Sequence, residues 1–215
     1  MEAELSWGCG ICMIEETATE VLDPDVRLML RFKDGDTGAF EHLFSRHTRA
    51  VINFAYRFVR NRELAEELAQ EIFLKVYEGA TGYRPQAKFT TWLYRIATNV
   101  CLNEIRKPQF RAATHSLDTG WAWDGEAVSI DIGIKGGTDM RLEQQAISRA
   151  LRLALDQIPE KQRVAFILNK YQELSYAEAA EIMKISEKAV KSLIHRAKEA
   201  LAEKLKPLLP GLLNL

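Results

Sequence analysis

From Val26 onward, apolar residues recur at three- and four-residue steps, the spacing of a helix with one buried face. Phe40, Leu43, Phe44, His47, Val51, Phe54, Ala55 and Phe58 predict one long amphipathic helix opening after the Asp34-Gly35-Asp36 turn. Asp36 is its natural cap, because a short acceptor side chain satisfies amide donors that a helix start leaves unpaired. Leu64, Leu68, Ile72, Phe73 and Val76 form a second stripe after the short Asn61-Arg62 break. A third helix is expected from about Thr90 to Arg106, stopping ahead of Pro108, whose ring disfavours helical geometry in the residue before it. The pattern resumes from Arg141 to Gln157, from about Pro159 to Gln172, from Ser175 to Met183 and from Glu187 to about Lys206. No run alternates with period two long enough for a sheet, so the fold class is all-α.

Between Pro108 and Asp139 the periodicity dissolves into Gly120, Gly125, Gly133, Gly136 and Gly137 among scattered acids, which marks a domain boundary. The expected organisation is an acidic, disordered leader over 1–24, a helical domain over 25–107, a flexible linker over 108–140, a second helical domain over 141–206 and a tail over 207–215. A relaxed coil of about thirty residues spans roughly 30 Å and a drawn-out one about 100 Å, so the two domains can be tethered at very different separations.

The chain has 215 residues, 29 Lys and Arg against 30 Asp and Glu, and 47% hydrophobic residues, which excludes disordered, collagenous and membrane-spanning classes. Its net charge of -1 conceals a division along the chain. Residues 1–25 hold seven acids and no base, whereas residues 84–111 hold six bases against Glu104 alone. Residues 112–140 are acidic again, and from 141 to the end 13 bases face 9 acids. Two basic blocks flanking an acidic one suit a protein that touches a polyanion in two places, and a set of solvated helix faces gives the same count.

Cys9 and Cys12 form a Cys-x-x-Cys pair, but Cys101 stands far off and no second pair or nearby His completes a zinc set. No strand-helix pattern of a redox domain surrounds the pair. Neither a nucleophile-base pair, a phosphate-binding glycine loop nor a metal cluster stands out, so no cofactor and no catalytic activity are expected. The N-terminus lacks a basic region and a long apolar core, so neither export nor membrane insertion is expected, and the cytoplasm is the expected location. Met13 is an alternative first residue.

Ser175-Tyr176-Ala177-Glu178 is a capping box, and Ser186 can cap the next helix after a turn of a few residues. With Ala177, Ala179 and Ala180 small enough for close approach, the pair has the layout of a helix-turn-helix. Ala189, Val190, Leu193, Ile194 and Ala197 face inward, leaving Lys188, Lys191, Ser192, His195 and Arg196 where donors would meet base edges and phosphates. An ordinary helical hairpin with a solvated basic face fits the same pattern. In the first domain Tyr83, Phe89, Trp92 and Tyr94 are interleaved with Arg84, Lys88 and Arg95. Thr91, Arg95, Asn99 and Arg106 lie near one stripe, opposite Ile96, Ala97, Val100 and Cys101. Aromatic faces stack on unpaired bases for about 1 to 3 kcal/mol each while cations hold the phosphates, so single-stranded nucleic acid suits this combination. Trp92, Leu93 and Tyr94 also fit as core anchors. Asn99 offers donor and acceptor together and gains nothing from helix propensity where it stands.

Together these segments resemble the extracytoplasmic-function sigma factors of the sigma-70 family, over about residues 25–107 and 141–206. GDTGAFEHLFSRH is similar to the start of region 2, ELAEELAQEIFLKVYE to the segment that docks on RNA polymerase, and FTTWLYRIATNVCLNEIRK to the promoter-melting segment. LDQIPEKQRVAFILNKYQELSYAEAAEIMKIS followed by EKAVKSLIHRAKEAL is similar to region 4. The resemblance implies a protein that binds core RNA polymerase and promoter DNA and that pairs with an anti-sigma factor. It implies minus-ten contacts from Arg84, Lys88, Phe89, Thr91, Trp92, Arg95, Asn99 and Arg106, with Asn99 at the family's base-contacting position. It implies minus-thirty-five contacts from Lys188, Lys191, Ser192, His195 and Arg196, and polymerase contacts from Glu67, Gln70 and Glu71. A stand-alone helix-turn-helix regulator, and an enzyme built on Cys9 and Cys12, are the competing readings.

Overall fold

A computed structural model of the chain describes residues 23–110, 147 and 149–206. The leader apart from its last two residues, Cys9, Cys12, Met13, the linker beyond residue 110 and the tail lie outside the described residues. Every regular element among the described residues is helical.

Helix α1, Pro24–Lys33, starts where the Asp23 carboxylate accepts from the Asp25 amide at 3.0 Å, with Pro24 at a position that needs no amide donor. Gly35 has φ 103°, a left-handed conformation natural only to glycine, and it turns the chain into the next helix within two residues. Helix α2, Thr37–Val59, is capped as expected by Asp36, whose Oδ1 accepts from the Ala39 amide at 3.2 Å. The other Asp36 oxygen takes Arg31 at 2.6 and 3.0 Å, and this hydrogen bond, with those from the cap, holds the carboxyl below its ordinary range. Asn61 caps α3, Arg62–Glu78, through the Leu64 amide at 2.9 Å. A short 3-10 turn, Gly79–Gly82, leads to α4, Phe89–Arg106, one residue longer at its start than the pattern predicts.

The first half packs around Met29, Leu43, Val51, Phe54, Ile72, Phe89 and Leu93, all essentially inaccessible. Burying side chains of this size is what stabilises so small a helical unit, at about 1.5 to 3 kcal/mol each. His47, on the apolar face of α2, is buried with its ring centroid 5.4 Å from that of Phe89 and is also paired. Its Nε2 lies 2.8 Å from Asp25, which also takes Arg46 from the solvent side. Phe44 departs from its predicted inward position and is 40% exposed.

The second half comprises α5 (149–156), α6 (Glu160–Lys170), α7 (Tyr176–Met183) and α8 (Glu187–Leu205). The capping box is complete, with the Glu178 amide donating to Ser175 Oγ at 3.2 Å and the Ser175 amide to Glu178 Oε2 at 2.8 Å. Lys184 in a left-handed conformation ends α7, and Ser186 caps α8 through the Ala189 amide at 3.2 Å. The two halves are in contact: α4 packs on α7, and buried residues from both join one contiguous apolar cluster.

Candidate nucleic-acid interface

The loop before α4 and that helix's exposed side form one candidate surface. Tyr83 is buried and stands edge-on to Trp92, with ring centroids 5.0 Å apart, and the Phe89 ring lies 6.0 Å from the same indole. The indole also lies against Gly79, where an added β-carbon would sit 3.2 Å from the ring, a contact tight enough that the indole would have to shift by a few tenths of an ångström. Trp92 therefore remains half-buried, held rigidly with one part toward solvent. Beside it opens a cleft lined by Tyr83, Arg84, Gln86, Trp92, Arg95 and Glu181. Burial raises the Tyr83 phenol to about 12, so it stays protonated at neutral pH, and its oxygen has no partner among the described residues.

The eight residues expected on this surface divide. Arg84, Lys88, Asn99 and Arg106 are exposed, and Arg95 and Trp92 are half-buried at the cleft. Phe89 and Thr91 are corrections: both are fully buried. Phe89 takes its place in the core beneath Trp92, and Thr91 is turned inward by its position on α4, so neither offers a surface in this conformation. Tyr94 and Leu93 are core anchors, and burial raises the Tyr94 phenol to about 12 as well.

Three of the cations on this surface are engaged by acids of the second half. Lys88 lies 3.0 Å from Glu178 Oε1, leaving Oε2 to the capping box. Burial works to raise the Glu178 carboxyl, but hydrogen bonds from Ser175 and Lys88 outweigh it and hold the group below its ordinary range. Arg95 hydrogen-bonds Glu181 at the cleft. Arg106 forks onto both oxygens of Glu160 at 2.6 and 3.3 Å, which raises the Arg106 guanidinium further. Sequence reasoning assigns Glu178 only to a cap and does not single out Glu160, Glu181 or Gln86. The roles of the three glutamates arise from docking between elements far apart in the chain, which no local spacing reports, whereas Gln86 lies in the loop just before α4.

On α8, Val190, Ile194, Ala197 and Leu201 are buried and Ala189 and Leu193 half-buried, close to the predicted inner face. Lys188, Lys191, His195 and Arg196 are exposed, with Ser192 half-buried among them. His195 Nε2 lies 3.6 Å from Glu199 one turn on. Glu67, Gln70 and Glu71 are exposed along α3, and the same stripe carries Leu74 and Tyr77, 56% and 51% exposed. Among the described residues no group of His, Cys, Asp and Glu could hold a metal, and no helix is long and apolar enough to cross a membrane. Cys101 is buried, and burial pushes its thiol well above the ordinary range.

The sigma-70 region 2 family model matches residues 43–111, and the sigma-70 region 4 model matches residues 148–201. The RNA polymerase sigma-H factor of Pseudomonas aeruginosa is 31% identical over 193 residues, 87% of this chain and 96% of that one. The chain belongs to the extracytoplasmic-function sigma factors of the sigma-70 family. Bacillus subtilis SigW is 32% identical over 82% of this chain and 94% of its own, and the sigma-E factor of Escherichia coli K12 is 31% identical over 86% and 96%. The fold is also that of CnrH in complex with the cytosolic domain of CnrY, at a TM-score of 0.62 and 22% identity over 86% of this chain and 99% of that one. It is likewise that of the sigma factor RpoE in complex with the anti-sigma factor NepR from Bartonella quintana, at 0.57 and 22% over 78% and 96%. A sigma factor carries no catalytic activity of its own; this one directs promoter recognition by RNA polymerase.

Proposed function

We propose that the first half, over 25–107, melts the minus-ten element through the loop before α4 and the exposed side of that helix, while α8 of the second half, over 141–206, reads the minus-thirty-five element. The observation that carries this reading is the cleft in which Trp92, Arg95 and Gln86 converge beside exposed Arg84, Lys88 and Asn99. A half-buried indole gives a stacking face, guanidinium and ammonium groups take phosphates, and an amide reads a base edge. Extruding a base costs a few kcal/mol, and such a cleft is what offsets it. Lys188, Lys191, Ser192, His195 and Arg196 present donors from one side of α8, as a recognition helix requires. Glu67, Gln70 and Glu71 dock on core polymerase, and Leu74 and Tyr77 extend that stripe with apolar area that desolvates on contact. The residues over 108–140 join the two halves as a linker. An anti-sigma factor is the expected antagonist, and the cytoplasm the expected location.

The test is run-off transcription with core polymerase across genomic promoter fragments, including the one upstream of the chain's own gene. Promoter-dependent transcripts are expected. A specific, salt-resistant complex with duplex DNA alone, and no transcript from any fragment, would instead mark a stand-alone helix-turn-helix regulator. Asn99→Ala is expected to impair open-complex formation, read by permanganate reactivity of unpaired thymines, more than binding to core polymerase. Equal impairment of both would make Asn99 a structural residue.

A further inference from the structure

The loop over 83–88, which carries Arg84 and Gln86 to the cleft, has little backbone support of its own. Tyr83 leaves the 3-10 turn extended, at φ -61° and ψ 131°, with its amide donating to the Ala80 carbonyl at 3.1 Å. Pro85 has no amide donor, and the Gln86 amide turns back onto the Arg84 carbonyl at 2.8 Å, inside the loop. Among the described residues, one hydrogen bond ties the backbone of 83–87 to an element distant in sequence. Lys33 Nζ, from the last turn of α1, donates to the Tyr83 carbonyl at 3.0 Å across 50 positions. A cation in a last turn can serve its own helix's unpaired carbonyls, but Lys33 reaches across to the loop instead. The Tyr83 ring is buried beside Trp92, and its phenol, raised chiefly by burial, is raised further by the charge of Asp23, the cap at the other end of α1.

We propose that Lys33 is a positioning residue for minus-ten recognition: its hydrogen bond fixes the direction in which the chain leaves Tyr83, and so sets Arg84 and Gln86 at the cleft before the strand arrives. The inference rests on the reading of the loop and α4 given under Proposed function. With the ring and the amide of Tyr83 both held, rotation about its ψ is the freedom that remains, and this rotation swings the carbonyl and Arg84 together. Pro85 confines Arg84 to extended conformations and fixes its own φ, so a swing at Tyr83 is passed on to Gln86 rather than absorbed. A donor on the Tyr83 carbonyl therefore orients the whole loop. If only the held form accepts the strand, apparent affinity scales with its population, which one ordinary hydrogen bond shifts by about five-fold.

The test variant is Lys33→Met, which keeps the apolar stem and loses the donor, and Lys33→Arg keeps a donor. Arg27→Met is the control, since it removes another exposed cation from the same helix. Lys33 is itself exposed, so these substitutions leave the core intact. In the free full-length chain, hydrogen exchange with millisecond labelling, read by mass spectrometry, should be about five-fold faster over 83–88 in Lys33→Met, with α2 and the buried part of α4 unchanged. Lys33→Arg and Arg27→Met should exchange like the original chain. In the holoenzyme on a promoter selected by run-off transcription, Lys33→Met should lower permanganate reactivity of the minus-ten thymines by about five-fold, and Lys33→Arg should restore it. Binding to core polymerase and the salt slope of promoter binding should not change, because Lys33 holds a carbonyl and not a phosphate.

Equal exchange over 83–88 in Lys33→Met and the original chain overturns the positioning, whether or not promoters open. Faster exchange with undiminished opening overturns it too. A salt slope lowered by about 0.9 with unchanged loop exchange would make Lys33 a phosphate contact instead. Failure of the functional reading looks different: the original chain itself opens no promoter, and the role of Lys33 falls with it.

Discussion

Coupling between Arg57 and Tyr171 offers a quantitative measure of how firmly the two halves are joined. The guanidinium carbon lies 3.6 Å from the ring centroid, well inside the reach of a cation–π contact. Both groups are desolvated: burial lowers the Arg57 guanidinium and raises the Tyr171 phenol, with the charge of Arg57 opposing the latter. A contact removed from water in this way is worth about 1 to 2 kcal/mol, against about 0.5 at an exposed site. Arg57→Met alone will read less, because it also removes the buried Nε that has no partner, relieving about 1 to 3 kcal/mol of desolvation. The pair must therefore be isolated by a cycle of Arg57→Met, Tyr171→Leu and the double variant, each unfolded in urea and followed by circular dichroism. A coupling of about 1 to 2 kcal/mol is expected, with both halves melting in one transition. A coupling below about 0.3 kcal/mol, the usual error of additivity, would refute the reasoning, because it would mean that the ring and the guanidinium are neighbours without mutual stabilisation.

Ser175→Ala removes the acceptor of the Glu178 amide and should cost about 1 kcal/mol of stability by thermal melting, whereas Glu178→Gln, which keeps the box, should cost clearly less. The depressed Glu178 carboxyl contributes stability that is fully present above its unfolded value of 4.5 and is lost as pH falls through its lower folded value, so the urea midpoint should drop over that acid range. Glu178→Gln should flatten this dependence, and an unchanged profile would remove Glu178 from the account. Neutralising Lys191 or Arg196 should lower the salt slope of promoter binding by the holoenzyme by about 0.9 for each phosphate that the side chain no longer neutralises, and an unchanged slope would mean that the residue touches no phosphate.

The helices are legible in the sequence because their determinants are local. Asp36, Asn61, Ser175 and Ser186 each sit at a helix start and accept from an amide three residues on, a distance that sequence reports directly. The faces of α8 are legible for the same reason, since four buried residues repeat at helical spacing. Phe89 and Thr91 escape such a reading because α4 is crowded on more than one side. Tyr83, Trp92 and the core of the first half take up the flank that a single-stripe pattern leaves to solvent. His47 sits on an apolar stripe yet is held by Asp25, a partner 22 residues away that its spacing does not announce. The acids that meet Lys88, Arg95 and Arg106 lie 54 to 90 positions further along the chain, and only the docking of the halves brings them there.

The contact between the halves has two components with different physical consequences. Its apolar part, in which the buried residues of both halves form one cluster, favours closure whatever the salt, because removal of apolar area from water does not depend on charge. That part is not directional and fixes no register. The ionic part supplies direction, since Lys88, Arg95 and Arg106 each meet a defined carboxylate, and it is also the part that a polyanion can contest. A nucleic acid strand brings many phosphates and gains from counterion release when it captures such cations, an advantage that three carboxylates on a helical surface do not share.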